Sequence, residues 1–151
     1  MTEKFIGYFR LIDACAAPGC PLCGCLLAES RRYLEALLHE QVTDVDTRRR
    51  IRRSWGFCNW HAWMLADIAG SAFGAAIVYE DLLNRLLRRT AELRGQRSRS
   101  SGWLGNLRRR RKRAVLADLW TRRAACPGCV DAAATETRYL DTLLAFVDDE
   151  A

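Results

Sequence analysis

The sequence predicts an all-α fold: a helical bundle carrying an internal repeat, with a cysteine/histidine site at one end. Three observations lead there. Half of the 151 residues are hydrophobic, and only three are proline and ten glycine, too few for a turn-dense β-sandwich or barrel. Leu, Ala and Arg, all good helix formers, dominate the composition. Apolar residues recur at helical spacing, and no convincing alternating strand pattern is present.

The elements follow in order. Lys4–Ala14 places Phe5, Tyr8, Phe9 and Ile12 at helical spacing. Pro21 to about Leu38 reads as a strongly amphipathic helix, because proline is favoured at the first helical position. Thr43 or Asp44 can cap a short basic helix over Val45–Ser54. A helix from Cys58 toward Ala69 follows, then one from Ser71 to about Leu93. Gly95–Gly105 is expected to be a basic flexible loop, rich in Gly, Ser, Gln and Arg. Leu107–Ala124 and Pro127–Val147 complete the helices, and Asp148–Glu150 is an acidic tail. A chain of this length is expected to form one helical domain over residues 1–151.

Trp60–Tyr79 approaches the ~20 residues that span a bilayer. It contains His61 and Asp67, and an Asp near mid-membrane is costly, so a buried core segment is the expected role.

The charge is unevenly placed. The net charge is +6, yet residues 88–113 carry 11 bases and one acid, which leaves the remainder at −4. The run Arg108, Arg109, Arg110, Arg111, Lys112 and Arg113 could contact phosphate in a nucleic acid or an anionic membrane surface. A solvated linker is the simpler reading, and no common nucleic-acid motif is present.

All seven cysteines lie in or beside three short motifs: Cys20-Pro-Leu-Cys23, Cys58-Asn-Trp-His61 and Cys126-Pro-Gly-Cys129. Each has a ligand-type residue, two spacers and a second ligand-type residue, a spacing that lets two side chains reach one ion. The first and third motifs belong to a repeat. Shifted by 106 residues, Cys20–Leu38 aligns with Cys126–Leu144 without a gap, and nine of 19 positions are identical, against roughly one expected from ordinary residue frequencies. In each motif the second ligand opens an apolar stripe: Leu26, Leu27, Leu34, Leu37 and Leu38 after Cys23, and Ala132, Ala133, Leu140, Leu143 and Leu144 after Cys129. After His61 the stripe is Met64, Leu65 and Ile68. The expected ligand set is therefore Cys20, Cys23, Cys58, His61, Cys126 and Cys129, converging at one end of the bundle.

Zinc suits such Cys/His pairs. An iron–sulfur cluster is the alternative cofactor, and dithiol redox work is a third possibility. Six residues exceed one tetrahedral site, so either four suffice or Cys15 and Cys25 complete a two-metal cluster. Trp55, Trp60 and Trp63 surround the CxxH motif and are expected to wall the site.

The order CPxC, WGFCxxH and CPxC followed by YL-acid-x-LL resembles a bacterial family of uncharacterised helical proteins. The resemblance runs over most of the chain from Cys20 onward. It implies that the six motif residues act together, and it brings no substrate with it.

No Ser/His/Asp order, phosphate loop or paired inward carboxylate points to catalysis. The expected function is a metal-binding, helical binding or regulatory module with an unknown protein partner. Free thiols at ligand spacing, with no secretory leader at the start of the sequence, point to a reducing cytoplasm.

Overall fold

A computed structural model describes residues 5–95, 117, 121 and 123–147. Among these residues the fold is all-α, with no strand. The helices are α1 (Ile6–Cys15), α2 (Pro21–Ala36), α3 (Val45–Ser54), α4 (Asn59–Ala66), α5 (Ala72–Gly95) and α6 (Pro127–Phe146). A π-helical turn, Leu37–Gln41, extends α2. The basic stretch and nearly all of the helix expected over Leu107–Ala124 lie outside the described residues.

Two apolar clusters share α2 as their common wall. The larger gathers Leu34, Leu37 and Leu38 with Val42, Ile51, Leu65, Ile68, Val78 and Leu82. These come from α2, the π turn, α3, α4 and α5, with Val42 and Ile68 in the connections between them. The smaller joins Leu11 of α1, Cys25 of α2 and Tyr139 of α6, with Ala14 and Leu22 packed against them. Three charged or polar groups close this second cluster. Glu29 accepts from the Tyr139 hydroxyl at 3.0 Å and pairs with Arg10 and Arg32.

The repeat helices α2 and α6 form the most extensive helix–helix interface among the described residues. They run antiparallel. Cys25 and Glu29 meet Tyr139, Cys23 lies within charge range of Glu136, and Tyr33 within charge range of Asp131 and Cys126. Cys25 beside Tyr139 and Asp131 beside Tyr33 are the same relationship exchanged under the 106-residue shift. The two repeats thus pack about an approximate twofold, as two copies of one surface do in a symmetric dimer.

The stripe expected on the second repeat does not face the core. Leu140, Leu143 and Leu144 are exposed, the last by 73%. Thr135, Tyr139 and Thr142, also at helical spacing, are buried instead. Their hydroxyls are satisfied locally: Thr142 donates to the Arg138 carbonyl at 2.7 Å, and Thr135 accepts from Arg138 at 2.7 Å. A satisfied hydroxyl removes most of the penalty for burying it.

The segment Trp60–Tyr79 is broken. Helix α4 ends at Ala66, and a turn over residues 67–71 precedes α5. No described helix is long and apolar enough to cross a membrane.

Candidate metal centre

Two helix starts build the site. Cys58, in extended backbone, occupies the N-cap of α4, and Cys126 the N-cap of α6. His61 and Cys129 then fall at the third helical position of their helices. The first turns close through Ala62 N–H to the Cys58 carbonyl at 2.9 Å and Val130 N–H to the Cys126 carbonyl at 3.0 Å.

The approach to each cap is anchored. Helix α3 ends where Trp55 takes the left-handed conformation, φ 57°, and Gly56 N–H returns to the Ile51 carbonyl at 2.9 Å. The Ser54 hydroxyl donates to the Gly56 carbonyl at 2.7 Å. The Arg85 guanidinium lies 5.0 Å from the Trp55 ring centroid, within cation–π range. Ala124 N–H donates to the Arg53 carbonyl at 3.0 Å. That bond ties the segment entering α6 to the end of α3, just before the chain turns into α4.

These anchors bring together Cys58, His61, Cys126 and Cys129, whose ligand atoms all lie within 4.8 Å of one another. The His61 Nδ1 is 3.1 Å from the Cys58 sulfur, 3.7 Å from Cys126 and 3.6 Å from Cys129, and Cys129 is 3.6 Å from Cys58. A tetrahedral ion with the bond lengths of zinc would set its S···S edges at about 3.8 Å and its S···N edges at about 3.6 Å. The His61–Cys126, His61–Cys129 and Cys58–Cys129 edges fall within about 0.2 Å of these values, while the His61–Cys58 edge, at 3.1 Å, is shorter.

The electrostatics suit a cation. His61 is buried, and burial lowers its pKa, so the imidazole is neutral and Nδ1 can offer a lone pair. Burial raises the Cys58 thiol, but the His61 N–H and the thiols of Cys129 and Cys126 outweigh it and bring the net value down. Cys129 is pushed up to about 12, first by burial and then by the shared hydrogen bond with Cys58 and the charges of Cys126 and Cys58. Several thiolates cannot ionise so close together unless a positive ion joins them.

Two residues at the site carry no sequence signal as ligands. Gly128 lies against the imidazole, where an added Cβ would come within 2.6 Å of Cδ2 and 2.7 Å of Cγ of His61. Only glycine lets the start of α6 approach the ring this closely. Its identity inside the third motif, against Leu22 in the first, is the one clue the sequence holds. Asp131 is partly buried on α6, and burial raises its carboxyl. Its charge works against the effect of burial on His61.

Cys20 and Cys23 are not in this group. They cap α2, and because α2 and α6 are antiparallel they stand beside Glu136. Glu136 is ten residues along α6 from Cys126, about 15 Å at the helical rise. Both thiols are exposed. The N–H of Cys23 and then its thiol bring the Cys20 thiol below its ordinary range, while the same shared hydrogen bond keeps Cys23 above it. Cys15 is exposed, and Cys25 is buried with its thiol directed to the Arg10 carbonyl at 3.6 Å. Of the tryptophans expected to wall the site, Trp60 and Trp63 do not, being 65% and 67% exposed. At the second and fifth positions of α4 they point away from the face that carries His61 and Leu65.

A search of the curated proteins and a search of the solved structures each found no match. One family model matches, over residues 1–151, and the chain belongs to that group, described as a family of unknown function (DUF6062).

Proposed function

We propose that this protein is a zinc-stabilised helical module that serves as a binding or regulatory unit, with Cys58, His61, Cys126 and Cys129 as the complete ligand set. One observation carries the reading. Two helix starts, separated by 65 residues or more in sequence, deliver four ligand atoms to within 4.8 Å of one another. That span suits a single ion. An iron–sulfur cluster places its ligands on different irons and spreads them further apart.

Four protein ligands fill a tetrahedron, so the ion would have no open position for a substrate. Its work is then structural: it joins α4 to α6, and through the Ala124–Arg53 bond it holds the end of α3. The module leaves its exposed surfaces, and the basic run Arg108–Arg113, for a partner. A reducing compartment keeps such thiolates available.

Metal analysis of freshly purified protein tests the reading. One zinc per chain, in a colourless protein, is the expected result. Visible absorbance with stoichiometric iron and sulfide would replace it with the cluster reading. Cobalt substitution adds a check, since a tetrahedral thiolate-rich site gives intense thiolate-to-cobalt absorption.

A further inference from the structure

We propose that Cys20 and Cys23 form a thiol–disulfide exchange site, distinct from the metal centre, whose substrates are molecules with an accessible disulfide.

The repeat provides both CPxC motifs with the same start: a cysteine at the N-cap, proline at the first helical position and a cysteine at the third. What faces each motif differs. Gly128 admits the His61 ring to the second. Leu22 occupies the corresponding place in the first and packs against the Leu11, Cys25 and Tyr139 cluster. The second pair of sulfurs meets Cys58 and His61, whereas the first pair has no such third ligand among the described residues. The antiparallel packing of α2 on α6 sets the two pairs at opposite ends of the interface. One motif is thus enclosed by ligands, and the other is open to solvent, where a disulfide can approach.

The local geometry divides the labour within the open pair. Cys20 stands at the N-cap of α2 and Cys23 at its third helical position, and the N–H groups of this helix start bring the Cys20 thiol below its ordinary range. Donors at a helix start stabilise a thiolate. Cys23 retains its proton, helped by the charge of the neighbouring Glu136. Cys20 is therefore the attacking group and Cys23 the resolving one. Residues three apart in a helical turn have Cα atoms about 5 Å apart, inside the range a disulfide can bridge.

The reaction balances. The Cys20 thiolate attacks one sulfur of the substrate disulfide. A bond forms to Cys20, the substrate S–S bond breaks, and one substrate thiolate leaves and takes a proton from water. Cys23 then gives its proton to water and attacks the Cys20 sulfur. The second substrate thiolate departs and is protonated in turn. Cys20 and Cys23 are oxidised to one disulfide by two electrons, and the substrate is reduced to two thiols.

The test uses the full chain with its metal bound and oxidised glutathione as the probe, followed by mass spectrometry of alkylated peptides. Wild-type protein is expected to lose two hydrogens within the peptide that contains Cys20 and Cys23. Cys23→Ser is expected to accumulate one glutathionyl group on Cys20. Cys20→Ser is expected to react at Cys23 about tenfold more slowly, since Cys23 lies inside the first turn and not at the cap. Bound metal, measured alongside, is expected to stay unchanged in both variants, which separates this proposal from the assignment of the metal ligands. Cys15, exposed but away from a helix start, is the internal reference. Reaction of Cys20 no faster than Cys15 overturns the proposal. So does loss of metal on substitution of Cys20 or Cys23, because the pair would then be ligands.

Discussion

Gly128 and His61 are in face-to-face contact: the glycine leaves the space that the imidazole ring fills, and a methyl group there would sit 2.6 Å from the ring. The ring belongs to α4, whose Leu65 lies in the larger apolar cluster at 1% exposure, so it cannot readily withdraw. The candidate metal centre therefore depends on a residue that offers no ligand atom.

Gly128→Ala is expected to lower metal content and melting temperature together. The overlap must be relieved by moving either the ring or the start of α6, at a cost of about 1–3 kcal/mol. Gly24→Ala is the control. It lies in the first turns of α2, and a Cβ there meets nothing within 4 Å. Alanine should raise stability there by about 0.5–1 kcal/mol. Metal analysis and thermal melts of both chains check the pair, and equal effects would remove the contact argument.

The ligand set makes a second prediction. Cys58→Ser, Cys126→Ser, Cys129→Ser and His61→Ala should each deplete the metal and lower the melting temperature. Chelator treatment of wild-type protein should reproduce that loss. Structural zinc can contribute on the order of 10 kcal/mol of apparent binding energy in small peptides, more than many domains hold in reserve. A chelated wild-type chain that melts unchanged would show that the four residues hold no stabilising ion.

Much of this was legible in the residues. Pro21 and Pro127 marked two helix starts, and both begin where expected. Val45–Ser54 is a helix with those bounds, and the Asp44 carboxylate accepts from Thr47 N–H at 2.7 Å. The motif spacing singled out six candidate ligands, and four of them, Cys58, His61, Cys126 and Cys129, cluster. What the pattern could not carry was the relative direction of the two repeats. Helical period states which residues share a face, but not which helix that face meets. The antiparallel pairing parts Cys20 and Cys23 from the other four. For the same reason Leu140, Leu143 and Leu144 face outward, while Thr135 and Thr142 pack inside. Trp60 and Trp63 likewise share a helix with His61 but not a face.

A pH prediction concerns the join between α3 and α5. Arg52 donates two hydrogen bonds to Asp81, each at 2.6 Å, and Arg48 approaches the same carboxylate at 3.3 Å. The Arg52 hydrogen bonds hold the Asp81 pKa below its ordinary value of 3.8. The folded form thus binds this proton less readily than the unfolded chain, so the stabilisation is complete above about pH 4. It is lost as pH falls through the depressed native value. Asp81→Asn should cost about 1 kcal/mol at neutral pH, a bidentate but partly exposed pair being near the upper end of the surface range. The difference between the two chains should shrink toward zero in acid. Denaturant titrations of both at several pH values check it, since any metal lost in acid is lost from both. A difference that grows in acid would mean that Asp81 is not the paired anion described.

The last prediction concerns Gly74, where α5 crosses the π turn. A Cβ added there would lie 2.8 Å from the Leu38 carbonyl oxygen and 3.0 Å from Leu38 Cδ2. The oxygen belongs to the backbone, so no side-chain rotation relieves the contact. Leu38 itself is 3% exposed within the larger cluster. Gly74→Ala should therefore destabilise the protein by about 1–3 kcal/mol, despite the better helix propensity of alanine. The penalty falls on the packing of α5 against the end of α2, at a distance from the ligands. Metal content at saturating zinc should hold while the melting temperature drops. A neutral Gly74→Ala would show that α5 can shift away from the π turn at little cost, and that the close approach is not what seats it.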